Sequence, residues 1–170
     1  MALKRLNLAK RYLENAKELL KQAGIDKRRN AYLDLKYVSM ASGTAYLSAL
    51  EALKALFILK LDIDEEFIKK KIKDISIYKQ YIRELSIGKD KDYIQGLLID
   101  IYDILHLGGY YRELQSKKAI DDGFEKVEKI IKIVESYIKW ITTRNLWKDI
   151  KSLTKTILFL FSIKTISPKL

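Results

Sequence analysis

Residues 102–116, YDILHLGGYYRELQS, hold the single histidine of the chain, His106, and its only Gly-Gly pair, Gly108-Gly109. They also join two strongly helical patterns. Upstream, Ile94, Leu97, Leu98, Ile101, Ile104 and Leu105 recur at spacings of three and four, which predicts a helix over about 89–107 that the Gly-Gly pair ends. Ile99, Tyr102 and His106 flank that stripe. The apolar surface is wider than one bundle seam needs, so a dimer interface is expected on this flank. Downstream, Ile120, Phe124, Val127, Ile131, Val134, Ile138 and Ile141 alternate four and three, predicting a helix from Ser116 to about Ile141.

The rest of the chain reads the same way. Leu6, Ala9, Leu13, Ala16, Leu20 and Ala23 give a first helix over 3–23, with Gly24 as its C-cap. A loop over 25–30 carries Lys27, Arg28 and Arg29. A second helix over 31–60 is poor in bulk at Ala41, Ser42, Gly43, Ala45, Ser48, Ala49, Ala52 and Ala55. Such residues let a neighbouring helix approach closely, which makes this the central helix. Asp64 and Ser76 are the expected caps of two short pieces before Gly88. After Thr142-Thr143, Asn145 is expected to cap a last helix to about Ile163, with a stripe of Leu146, Ile150, Leu153, Ile157 and Leu160 widened by Trp147, Leu158 and Phe161. The expected fold is all-α: an antiparallel four-helix bundle over 1–143 with a short helical insertion, then an extra amphipathic helix over 144–170 packed on the bundle or on a partner subunit.

Composition narrows the chemistry. There is no cysteine and one proline, Pro168, which excludes disulfides and thiol chemistry. The N-terminal residues mix charged and apolar positions too finely for a signal peptide, and no segment nears the roughly 20 apolar residues that span a bilayer. A cytoplasmic protein is therefore expected. The net charge of +11 sits at the two ends: residues 1–29 hold nine Lys/Arg against three Asp/Glu, and 144–170 hold six against one, while 30–143 is balanced. That points to a localised anionic contact such as RNA, DNA or a membrane surface.

The segments KYVSMASGTAY, YDILHLGGYY and IDDGFEKVEKII, behind an N-terminal RYLENAKELL helix, resemble the HEPN-like superfamily of helical bundles, and within it a small uncharacterised bacterial family. The likeness covers roughly residues 5–140. It implies a dimer and, in many members, a metal-independent ribonuclease with an arginine separated by four to six residues from a following histidine on the helix lining the dimer cleft. Here the required positions hold Ile99, Asp100 and Ile101, so that motif is absent. Other members lack it and bind nucleotides or pair with a nucleotidyltransferase partner.

His106 with Arg112, Tyr110 and Tyr111 forms the first candidate site; Tyr102, Lys27, Arg28 and Arg29 are further candidate binding residues. Lys4, Arg5, Lys10 and Arg11, with Tyr12 and Tyr32 to stack on bases, would extend a phosphate-binding patch. Asp100, Asp103 and His106 are spread over about 120° of helix surface and have no second histidine to complete a metal shell. No metal site or cofactor is expected. The leading expectation is a non-catalytic HEPN-like homodimer binding nucleic acid, a nucleotide or a protein. The alternatives are a divergent ribonuclease using His106 and Arg112, and a membrane-surface protein tethered by residues 145–166.

Overall fold

The computed structural model describes residues 1–164, without the side chains at 149, 152 and 156–164. The expected stripe positions Ile157, Leu158, Leu160 and Phe161 therefore lie outside the described side chains, and Pro168 outside the described residues. The described chain is predominantly helical, with one two-stranded ribbon. It divides into two compact units, Met1–Glu135 and a second beginning at Ser136.

Helix α1, Ala2–Gln22, buries Leu6, Ala9, Leu13 and Ala16 as their spacing predicts. Gly24 follows it with a φ of +65°, a left-handed value that glycine takes without steric cost. The segment expected as a loop forms a small hairpin instead: β1, Ile25–Asp26, pairs antiparallel with β2, Ala31–Tyr32. Its turn is closed locally, because Asp26 Oδ1 accepts from the backbone N–H of Arg28 and of Arg29. Two-residue strands leave no alternation to detect in the sequence.

Helix α2, Leu35–Leu61, starts four residues later than expected because Ala31 and Tyr32 enter the ribbon. Asp34 caps it, accepting from Lys36 N–H. Its small residues are buried, and Ser48 Oγ donates to the Ala9 carbonyl of α1 at 2.7 Å. Helices α3, Glu65–Lys71, and α4, Ile75–Glu84, follow. Asp64 caps α3 as expected. Asp74, not Ser76, caps α4, accepting from the N–H groups of Ser76 and Ile77. Ser76 lies within the first turn and its hydroxyl donates to the same carboxylate.

Helix α5, Asp90–Ile101, continues into a π-helical segment, Tyr102–Tyr111, so the Gly-Gly pair does not end the helix. Glycine lacks the bulk that would hold the backbone off its neighbour: a Cβ on Gly109 would overlap the Ser42 hydroxyl of α2. The segment stops at Arg112, whose N–H, like that of Leu114, bonds back to the Gly108 carbonyl. Helix α6, Lys117–Lys164, begins where Ser116 predicts but runs through Thr142-Thr143 without a break. The separate C-terminal helix capped by Asn145 is therefore part of α6. Thr142 Oγ1 donates to the Ile138 carbonyl, which keeps that hydroxyl satisfied inside a helix, and no Gly or Pro follows until Pro168.

In the first unit, Ile120, Phe124, Val127, Ile131 and Val134 are buried. Lys10 pairs with Glu135 and Lys17 with Glu128, a reciprocal spacing that sets α1 and α6 antiparallel. A polar network ties α1, α2 and α3. The Arg5 guanidinium bonds Glu51 through Nη1 at 2.6 Å and grips the Glu65 carboxylate through Nε and Nη2, while Lys54 Nζ donates to Glu51 at 2.7 Å. Glu51 is only 8% exposed, so its charge depends on these cations.

Arg5→Met should destabilise the protein by about 3 kcal/mol in urea unfolding, because it strands the Glu51 charge with Lys54 alone. Glu65→Gln should cost less than about 1 kcal/mol, since that carboxylate is more exposed. The Arg5 hydrogen bonds hold the Glu65 carboxyl below the usual carboxylate range. Its stabilisation is thus present above that range and lost as pH falls through the depressed value. The glycines give an opposed pair. Gly96 in α5 has open space where a Cβ would go, so Gly96→Ala should add up to about 1 kcal/mol. Gly109→Ala should cost about 1–3 kcal/mol through overpacking.

Candidate functional site

Helix α2 and the π segment build the most distinctive surface of the first unit. In a π-helix each N–H bonds five residues back, so side chains four and five apart share a face. Tyr102, His106, Tyr110 and Tyr111 consequently line up. The His106 ring lies 5.1 Å from that of Tyr102, 6.1 Å and near-parallel to Tyr110, and 5.1 Å and edge-on to Tyr111. Tyr46 of α2 stacks on it at 4.4 Å. Four tyrosines thus surround one imidazole, which ring contacts position without a hydrogen bond among the described residues. Ser39 Oγ donates to the Tyr110 carbonyl and ties the end of the π segment to α2.

Two glycines permit this fit. Gly43 lies under the Tyr110 ring, where a Cβ would come within 3.0 Å of it. Gly109 lets the π backbone settle on Ser42, whose buried hydroxyl has no hydrogen-bond partner among the described residues. On the outer side the cluster opens into a pocket of ≈ 390 Å³ lined by Met40, Gly43, Thr44, Tyr46, Leu47, His106 and Tyr110. Met40, Leu47 and Tyr110 are 45%, 49% and 46% exposed, so the rim is apolar and open to solvent, and Tyr111 beside it is 64% exposed.

The electrostatics follow from burial. Desolvation lowers the His106 pKa, which favours the neutral imidazole, and pushes the Tyr46 hydroxyl up to about 12. The surface offers aromatic faces, two aliphatic side chains and tyrosine hydroxyls, with no fixed charge in the pocket lining. It suits burial of apolar or planar groups.

The sequence candidates separate into three places. Tyr102, His106, Tyr110 and Tyr111 come together. Arg112 is exposed just beyond them, and among the described residues no hydrogen bond or ring contact joins its guanidinium to His106. Lys27, Arg28 and Arg29 project from the hairpin tip, all exposed. The larger basic patch is thinned by pairing: Arg5 is committed to Glu51 and Glu65, and Lys10 to Glu135. Tyr32 is no platform for a base, being 5% exposed with its hydroxyl donated to Asp121 at 2.6 Å. Asp100 lies 3.7 Å from Lys126. Among the described residues no three His, Asp or Glu side chains lie close enough to hold a metal.

Tyr46, Met40, Gly43, Thr44 and Leu47 are missing from the sequence candidates. Their signal was present, since 40, 43, 47 and 40, 44, 47 keep three-and-four spacing along α2. It was hidden because α2 is apolar on nearly every side.

A solved structure of a protein of unknown function from Dyadobacter fermentans is similar to the chain, with 32% identity and a TM-score of 0.63 over 80% of this chain and 98% of that one. A comparison with curated proteins gives no match. A domain of unknown function, DUF5618, matches residues 4–136, ending beside the boundary of the first compact unit. The match spans most of the sequence, and the chain belongs to the DUF5618 family.

Proposed function

We propose that the chain is a non-catalytic helical binding module of HEPN-like architecture that works as a homodimer through its tyrosine–histidine face. The observation that carries this reading is the open apolar rim of Met40, Leu47 and Tyr110 around a half-buried, stacked His106. Solvent-exposed apolar side chains rimming one pocket mark a binding surface better than scattered ones do. Lys27, Arg28 and Arg29 at the hairpin tip supply the contact to an anionic partner, for which RNA is the probe to use first.

The ring contacts of His106 support a packing role. Tyr46 and Tyr110 lie near-parallel to the imidazole, and no arginine reaches it among the described residues. A divergent ribonuclease using His106 and Arg112 would need both groups at one phosphate. Metal-free cleavage of mixed RNAs, lost in both His106→Ala and Arg112→Ala, would establish that enzyme and overturn the present reading.

Light scattering should give a dimer mass for the wild type and a monomer mass for Leu47→Lys and Tyr110→Lys, both changes at exposed positions. A wild-type monomer at high concentration would remove the dimer. RNA binding, if it runs through residues 27–29, should weaken steeply with added salt, because each phosphate contact releases counterions.

The single histidine gives a clean titration by NMR. Its midpoint should lie below the ordinary 6.5, since burial penalises the charged ring. A depressed histidine pKa favours the fold above the unfolded value. Stability should therefore fall as pH drops below about 6.5, through the folded midpoint.

A further inference from the structure

In the second unit, the part of α6 beginning at Ser136 carries large apolar side chains in the open. Trp140, Leu146, Trp147, Ile150 and Leu153 are 53%, 59%, 60%, 45% and 62% exposed. At 3.6 residues per turn they fall, with Thr143 and Thr154, in an arc of about 140° running from Leu153 to Trp140. Thr154 Oγ1 donates to the Ile150 carbonyl, so one hydroxyl in that arc is already satisfied within the helix.

Within residues 140–155 the cations lie to one side of this arc, and Lys139 just upstream falls inside it. Arg144, Lys148, Lys151 and Lys155 occupy roughly the next 80° beyond the Trp140 edge. The stretch 144–155 holds these four cations against one acid, Asp149. The Arg144 guanidinium sits over the Trp140 ring at 5.1 Å. Trp140 and Trp147, with Arg144, Lys148 and Lys151, flank a shallow trough of ≈ 390 Å³. Tryptophan thus marks the seam between an aliphatic face and a cationic one.

We propose that residues 140–155 form an in-plane docking helix for an anionic lipid surface. Leu146, Ile150 and Leu153 enter the acyl boundary, both tryptophans sit at headgroup depth, and the flanking cations meet lipid phosphates. A helix with this division lies in a bilayer interface and does not span it. No helix of the described chain is long and apolar enough to cross a membrane. Charge favours an anionic surface over a second copy of the same helix, since residues 144–155 are net positive and two copies would repel. The aliphatic width decides against nucleic acid, whose phosphates and bases would use the cations and tryptophans and leave Leu146, Ile150 and Leu153 in water.

The full chain is tested by co-sedimentation with vesicles of phosphatidylcholine alone and of phosphatidylcholine with phosphatidylglycerol, while tryptophan emission is followed. Binding is expected on the anionic vesicles only, with a blue shift. Lys148→Gln with Lys151→Gln should weaken it roughly 25-fold, about fivefold for each cation near a charged surface. Leu146→Lys with Leu153→Lys should abolish the blue shift while circular dichroism stays unchanged, since both positions are exposed. No binding to anionic vesicles, or equal binding to neutral ones, overturns the proposal. So does RNA binding that is sensitive to the Lys148 and Lys151 changes but indifferent to the leucine changes, or self-association lost with the leucine changes in protein that ignores vesicles.

Discussion

The contact of Gly109 with Ser42 is the constraint on which the histidine face depends. The π segment reaches α2 because neither residue presents bulk at the crossing, and Gly43 grants the same closeness to the Tyr110 ring. Closeness then decides what the side chains can do. With the two backbones this near, Tyr46 meets His106 face to face at 4.4 Å, and the tyrosines of the π segment fill the rest of its surroundings. A wider separation would leave the imidazole wet and free to turn.

Polar chemistry in the first unit is held where it cannot loosen that packing. Glu51 is buried on the same helix that carries Tyr46, and its charge is met by Arg5 from α1 and Lys54 from its own helix. Arg5 also grips Glu65, so one guanidinium ties three helices. A guanidinium suits the task because its planar fork satisfies a carboxylate through two parallel donors and stays charged at any accessible pH. The cost is that Arg5 is withdrawn from any phosphate site, as is Lys10 through Glu135. The basic N-terminus that stands out in the sequence is thus partly structural, and its exposed cations are Lys4, Arg11, Lys17 and Lys21 on α1 and Lys27, Arg28 and Arg29 at the hairpin tip.

Helix existence was legible wherever a three-and-four apolar stripe was strong. The stripe of α1 gave Leu6, Ala9, Leu13, Ala16 and Ala23 as buried, and that of α6 gave Ile120, Phe124, Val127, Ile131 and Val134. Leu20, Ile138 and Ile141 are instead half-buried, and Leu146, Ile150 and Leu153 exposed. The small residues of α2 marked the helix that others approach. Three things were not legible. The Gly-Gly pair looked like a stop because glycine is read by its local cost in a helix, whereas here the tertiary contact with Ser42 repays it. Thr142-Thr143 looked like a break, but a threonine hydroxyl that bonds back to the preceding turn stays helical. The wall supplied by Tyr46, Met40 and Leu47 was hidden because a helix apolar all round shows no preferred side. The candidates His106, Tyr102, Tyr110 and Tyr111, by contrast, were picked from the sequence and lie together, whereas Arg112, picked with them, is exposed beyond the cluster.

The π turn explains why those neighbours converge. At 3.6 residues per turn, Tyr110 and Tyr111 would diverge from Tyr102 as the helix advanced, and at most one of them could follow His106. Five-residue bonding slows that rotation, so positions 102, 106, 110 and 111 stay on one side. The same geometry bears on chemistry. A proton-transferring imidazole needs a charge partner to tune it, and here the ring neighbours are four tyrosines. Burial drives the His106 pKa down, and no carboxylate is among its ring neighbours to drive it back up. What the arrangement gains is a rigid aromatic surface with little side-chain entropy left to lose on contact. That property suits the binding role proposed for this face.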